Sequence, residues 1–136
     1  MTSRAVVQAI AAKARAITGM RAAPDNPPDS IAAYPFAVTY FMRGAWHGAD
    51  ATWGDGRVTY ACDVHLSRLP DTGRQLETCA EMPRTLALAI LSDETLGGAC
   101  TAVFDVRCQF TRMGYSGIET AGYRFEIDIV ANEAKS

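Results

Sequence analysis

With 136 residues, 49% of them hydrophobic and 21% charged, the chain is long enough to bury roughly two-thirds of its unfolded surface and to build one independent core without metal or disulfide staples. A net charge of −2, only two lysines (Lys13 and Lys135) and arginines scattered singly exclude a dedicated nucleic-acid grip, which needs a clustered basic face. Met1 to Ala16 is interrupted by Arg4, Lys13 and Arg15, which breaks both a secretory core and a membrane span of about 20 apolar residues, so the expected setting is a cytoplasm, with no membrane.

In chain order, Ser3 to Thr18 reads as a helix. Ser3 can cap it, the interior is rich in alanine, and Val6, Val7, Ile10, Ala14 and Ile17 recur at helical spacing until Gly19 ends it. Met20 to Ala23 is a candidate short strand. The arm from Asp25 to Pro35 follows, and three of the chain's six prolines lie between Asp25 and Val38. Each fixes φ near about −65° and pushes its predecessor toward extended geometry, so the arm is stiff and suits docking. From Phe36 to Arg43 both faces are largely apolar: Phe36, Val38, Tyr40 and Met42 alternate with Ala37, Thr39 and Phe41. That pattern predicts a central strand.

Arg43 to Arg57 reads as a fifteen-residue connection holding both tryptophans and four glycines, long for a compact domain unless it has work to do. The next strand, Arg57 to Ser67, turns Val58, Tyr60, Cys62, Val64 and Leu66 to a core, with Thr59, Asp63 and His65 facing solvent. Pro70 and Asp71 open a second helix, with Leu76, Cys79 and Ala80 before a kink or break at Met82-Pro83 and Leu86, Ala87, Ile90 and Leu91 after it. Ser92 to Gly98 is a turn. Two final strands, Cys100 to Arg112 and Ile118 to Val130, form a hairpin. In the first, Ala102, Phe104, Val106, Cys108 and Phe110 share a face; in the second, Tyr123, Phe125, Ile127 and Ile129 oppose Arg124, Glu126 and Asp128. The sum is α-ββ-α-ββ. It predicts one α+β domain over residues 1–136, with two helices on one face of a four-stranded, mainly antiparallel sheet and a long hairpin loop.

Raw material for catalysis is thin. His47 and His65 are the only imidazoles, and His65 reads as a solvated surface residue; Cys62 points to the other side of the same strand, which makes no thiol–imidazole dyad. Cys62, Cys79, Cys100 and Cys108 lie 17, 21 and 8 residues apart, with no Cys-x-x-Cys pair, and read as small hydrophobes in a reducing compartment, three on strands and one on a helix. Gly54-Asp55-Gly56 and Gly97-Gly98 read as turns, and Asp93-Glu94 as a solvated turn. No catalytic, cofactor or metal site is expected. Trp46 and Trp53 carry two readings, packing of a loop and anchoring of a partner, because tryptophan dominates many binding surfaces.

The element order, together with Asn26-Pro27-Pro28-Asp29-Ser30-Ile31 and Tyr34-Pro35-Phe36-Ala37-Val38, the long hairpin, the helix beginning near Pro70-Asp71-Thr72 and Thr95-Leu96-Gly97-Gly98 before the closing hairpin, resembles the tail terminator proteins of long-tailed, siphovirus-like bacteriophages and related gene transfer particles. The likeness runs from the first helix to Val130; Met82-Pro83 departs from it. It implies a virion protein, assembled in a bacterial host cytoplasm, that forms a hexameric homo-oligomeric ring. Such a ring caps the tail tube protein, stops its polymerisation and joins the head–tail connector or stopper protein, while DNA passes through the lumen without specific binding. Residues 24–35 and 43–57 are the expected contact regions, with Pro27, Pro28, Ile31, Tyr34, Trp46, His47, Trp53 and Arg57 as interface candidates. The competing readings are another neck or tail protein (stopper, adaptor or tube-like) and a small α+β ligand-binding domain or enzyme.

Overall fold

A computed structural model describes residues 2–48, 50, 53–70 and 73–134. The elements are α1 (Ser3–Arg15), β1 (Phe36–Gly48), β2 (Trp53–Arg68), α2 (Gly73–Thr78), α3 (Met82–Leu91), β3 (Ala102–Tyr115) and β4 (Ile118–Ala134). They build one antiparallel sheet in the order β1-β2-β4-β3, an α+β domain of the predicted class. No helix among the described residues is long and apolar enough to cross a membrane.

The helix-facing side of the sheet is the core. Val58, Tyr60, Cys62, Val64 and Leu66 of β2 and Phe125, Ile127 and Ile129 of β4 meet Val6, Ile10 and Ala14 of α1 and Met82, Leu86 and Ile90 of α3, all buried. This confirms the core face read along β2 and β4. The cap of α1 is Thr2, whose hydroxyl accepts from the Ala5 N–H at 3.1 Å. Ser3, expected in that role, hydrogen bonds the Tyr60 hydroxyl at 2.9 Å. α1 stops at Arg15, three residues short of the prediction, and Gly19 turns the chain at φ +94°, a conformation glycine adopts without Cβ cost.

The second helix is divided, as Pro83 requires: it sits in the first turn of α3, where its missing N–H is not needed. Asp71 and Thr72, the expected helix start, lie outside the described residues. Cys79 falls in the turn between α2 and α3 and Cys100 two residues before β3, so the predicted placement of three cysteines on strands and one on a helix is corrected to two and none. All four are free thiols, and Cys108 is exposed.

Four further expectations change. First, β1 is an edge strand. Its doubly apolar start is buried because the arm lies beside it: the Ala37 N–H donates to Ala22 O at 2.8 Å, and Arg21 and Ala22 donate to Pro35 O. The candidate strand at Met20 to Ala23 reduces to that single parallel bridge, Ala22 to Phe36.

Second, the connection from Arg43 to Arg57 is mostly paired strand, with Gly48 opposite Gly54; Ala49, Ala51 and Thr52 at its tip lie outside the described residues. Third, a bulge between Val103 and Asp105 moves Phe104 off the core face, and Val103 takes the buried position opposite Ile129. Fourth, the outer face of β2 is dry: Thr59, Asp63 and His65 are 8%, 5% and 1% exposed.

Candidate assembly surfaces

The arm is pinned at three points. Arg15 Nη1 donates to Ala23 O at 2.7 Å and to Asp25 Oδ1 at 2.8 Å, the backbone of residues 21 and 22 bridges to Pro35, and the Tyr115 hydroxyl donates to Pro28 O. A hollow of about 380 Å³ remains beneath it, walled by Pro24, Pro28, Ala32 and Phe36. Pro27, Pro28, Asp29 and Ser30 are exposed; Ile31 and Tyr34 are half-buried, Tyr34 beside Ser67, Arg68 and Arg74. The expected defined arm is present, and its exposed stretch is Pro27 to Ser30.

Tyr115 reaches the arm from the β3–β4 hairpin, which turns through Ser116 (φ +52°) and Gly117 (φ +79°). Its ring meets Phe36 edge-on at 5.3 Å and His65 at 5.6 Å, while His65 Nδ1 lies 2.6 Å from the Thr120 hydroxyl and Nε2 has no partner among the described residues. His65, expected at the surface, is thus sealed under the arm's anchor. Burial holds its imidazole below the ordinary range, Asp63 pulls the other way and Arg124 adds to the lowering.

Because the unfolded chain takes a proton at about pH 6.5 and the buried ring resists it, the unfolded state binds more protons below that pH. Stability from this group is complete above about pH 6.5 and declines as pH falls through and below it. Denaturant titrations at pH 7.5 and 5.5 are expected to show a loss of about 1 kcal/mol in the native protein and a flatter profile for His65→Gln. A native profile as flat as the variant's refutes the assignment.

At the far end of β1 the hairpin carries an aromatic platform on its helix-facing side, beyond the helices. Phe41 and Trp46 stack with centroids 6.3 Å apart and planes 13° from parallel, and they are 46% and 57% exposed. Phe41 also meets Tyr60 edge-on at 6.0 Å, tying the platform to the core. The indole lies over Gly44 and Gly56, where a Cβ would stand 2.8 Å from it. These glycines, read in the sequence as loop residues, are ladder positions that make room for a flat ring.

His47 and Arg57 are exposed on the same hairpin, and the Arg57 guanidinium lies 5.3 Å from the Phe104 ring centre. Trp53 opens β2 opposite Ala134; its side chain lies outside the described residues. The structure therefore places Trp46 on the helix-facing side of the hairpin and His47 and Arg57 on its outer side, with Pro27, Pro28, Ile31 and Tyr34 on the arm at the other end of β1.

The outer sheet face bears an ion lattice that the sequence reading recorded only as polar alternation. Asp63 accepts from Arg124 Nε at 2.8 Å, Arg124 Nη2 at 3.0 Å and the Tyr40 hydroxyl at 2.9 Å. Glu126 takes Arg43 at 2.7 Å and Arg107 at 3.4 Å, and Asp128 takes Arg107 and, at 2.6 Å, the Thr59 hydroxyl. The Arg43 guanidinium first, and Arg107 after it, hold the Glu126 carboxyl below the usual range. The lattice crosses all four strands and is internally paired, a polar sheet face with no single-sign field. The signal for it, Arg124-x-Glu126-x-Asp128, was visible in sequence; its partners on β1 and β3 depend on register.

No protein-family model matches the chain, and no curated protein matches it in sequence.

Proposed function

We propose that the chain is a structural subunit of the tail-terminator type, acting by shape: copies join head to tail in a hexameric ring that ends a tail tube and presents a surface to the head connector. The observation that carries the reading is the separation of two unlike, built surfaces, the anchored arm and the aromatic platform, at opposite ends of one edge strand. A surface that mates with an unlike surface on an identical copy makes a heterologous interface, which closes into a ring when the rotation permits. β1 and β3 leave two sheet edges at opposite sides of the molecule, compatible with neighbours on both flanks. A mildly acidic subunit in which Arg15, Arg43, Arg107 and Arg124 are paired with carboxylates suits a lumen through which DNA slides without being held.

The test is negative-stain imaging of the purified protein, alone and mixed with the tube protein of its particle. Rings in solution or caps on tube ends, with tubes of limited length, are expected. Shortening the hairpin by removing residues 46–56 should leave a folded subunit that no longer caps. Tubes that grow to the same length with and without the native protein overturn the reading, as does turnover of a small molecule by the monomer.

A further inference from the structure

We infer that the Phe41–Trp46 platform of one copy receives the Pro27–Pro28 arm of the next. The inference rests on the head-to-tail association proposed above and names the two surfaces that mate. Two features select this occupant. The platform is flat, apolar and half-exposed, and two glycines are given up to bed its indole; proline rings are compact, rigid apolar groups that aromatic surfaces recognise in extended segments.

The arm offers two adjacent exposed prolines in a backbone already fixed by Arg15, Tyr115 and the bridge to Phe36, so little conformational entropy remains to be lost on docking.

The two surfaces cannot meet within one chain. Phe36, where the arm joins, and Trp46 are ten residues apart on one strand, roughly 30 Å at about 3.3 Å per residue. An arm fastened to Phe36 and Tyr115 stays at its own end of the strand. The same separation makes the pairing directional: each copy gives an arm to one neighbour and a platform to the other.

Directionality supplies the test. Trp46→Ser removes the platform, and the double change Pro27→Ser/Pro28→Ser removes the arm's rings. Both alter exposed groups, so circular dichroism should stay native and each variant should keep a cooperative unfolding transition. In sedimentation velocity each variant alone should self-associate roughly thirtyfold more weakly than the native chain or worse. Mixed in equal amounts at a total concentration on the order of 1 mM, they should form dimers and nothing larger, because one intact arm meets one intact platform and the remaining two surfaces are dead.

Variants that assemble into rings as the native chain does overturn the arm-to-platform pairing and leave the ring reading standing. A mixture that remains monomeric while the native chain assembles also overturns the pairing. A native chain that stays monomeric throughout overturns both.

Discussion

Gly122→Ala is expected to leave little folded protein. An added Cβ at this position would stand 1.8 Å from the Val64 carbonyl oxygen, 2.9 Å from its carbon and 3.0 Å from the Leu66 nitrogen. All three are backbone atoms of β2, so no rotamer change relieves the clash and the two strands must separate. The close approach has a local cause: β2 bulges between His65 and Ser67, opposite Gly122, and presses its backbone against β4.

β2 and β4 are the central pair of the sheet, and Val64 and Phe125, both fully buried, belong to the core on either side of the contact. Separation therefore opens the core as well as the ladder. The cost is expected at about 4 kcal/mol or more, in the tail of single-substitution effects, enough to consume much of a domain's net stability. Gly114→Ala is the control, because its Cβ would meet only Ile118 O at 3.8 Å, an ordinary contact; it should move the unfolding free energy by no more than about 0.5 kcal/mol. A Gly122→Ala protein with a native unfolding midpoint refutes the packing described.

What the sequence disclosed, and what it withheld, divides along the line between local pattern and register. Alternation along β2 identified every core residue from Val58 to Leu66, because the face that meets α1 and α3 must be continuously apolar. The same alternation assigned Thr59, Asp63 and His65 to solvent, and here it misled. Period-two spacing tells which residues share a face; it does not tell whether that face is covered. Tyr40 and Arg124 come over Asp63 from neighbouring strands, and Tyr115 comes over His65 from a hairpin tip.

β1 misled in the opposite sense, since two apolar faces implied neighbours on both sides, whereas the arm supplies the cover. The hairpin reads as a loop in sequence, with four glycines in fifteen residues. Gly44 and Gly56 are there for the volume of the Trp46 indole, a relation between two strands that appears only once Trp46 is set opposite Gly56. The β3 bulge is of the same kind: no residue near Phe104 announces it, and it transfers one large aromatic from the core face to the outer face.

These limits also explain which parts of the candidate surfaces were legible. The arm was, since proline acts on its own backbone and on the residue before it. Trp46, His47 and Arg57 fall in one expected contact region because they are close in the chain. Phe41 was not, because its partnership with Trp46 depends on the register shift between Phe41 and Arg43 that puts both rings on one side.

The second large effect is expected at Asp63, where the outer lattice is most deeply buried. Asp63 is 5% exposed and accepts three hydrogen bonds, two from Arg124 and one from Tyr40, joining β1, β2 and β4. Removing one partner of a buried pair is costly chiefly because the other charge is left unpaired, about 3–5 kcal/mol when both are sealed. The Arg124 side chain is 33% exposed and can turn partly to water, which places Asp63→Ala nearer the lower end, at about 3 kcal/mol.

Tyr40→Phe removes one bond and leaves the carboxylate its arginine, so about 1 kcal/mol is expected. The double variant should cost less than the sum, since Asp63→Ala has already removed the phenol's acceptor. A spectroscopic readout separates loss of this contact from general loosening. Burial first, and the Asp63 charge after it, push the Tyr40 phenol up to about 12. In folded Asp63→Ala it should ionise at lower pH, moving toward the ordinary value of about 10 but staying above it, because burial persists. An Asp63→Ala protein that loses less than about 1 kcal/mol, or whose Tyr40 ionises where it does in the native chain, contradicts a lattice in which Asp63 holds the three strands together.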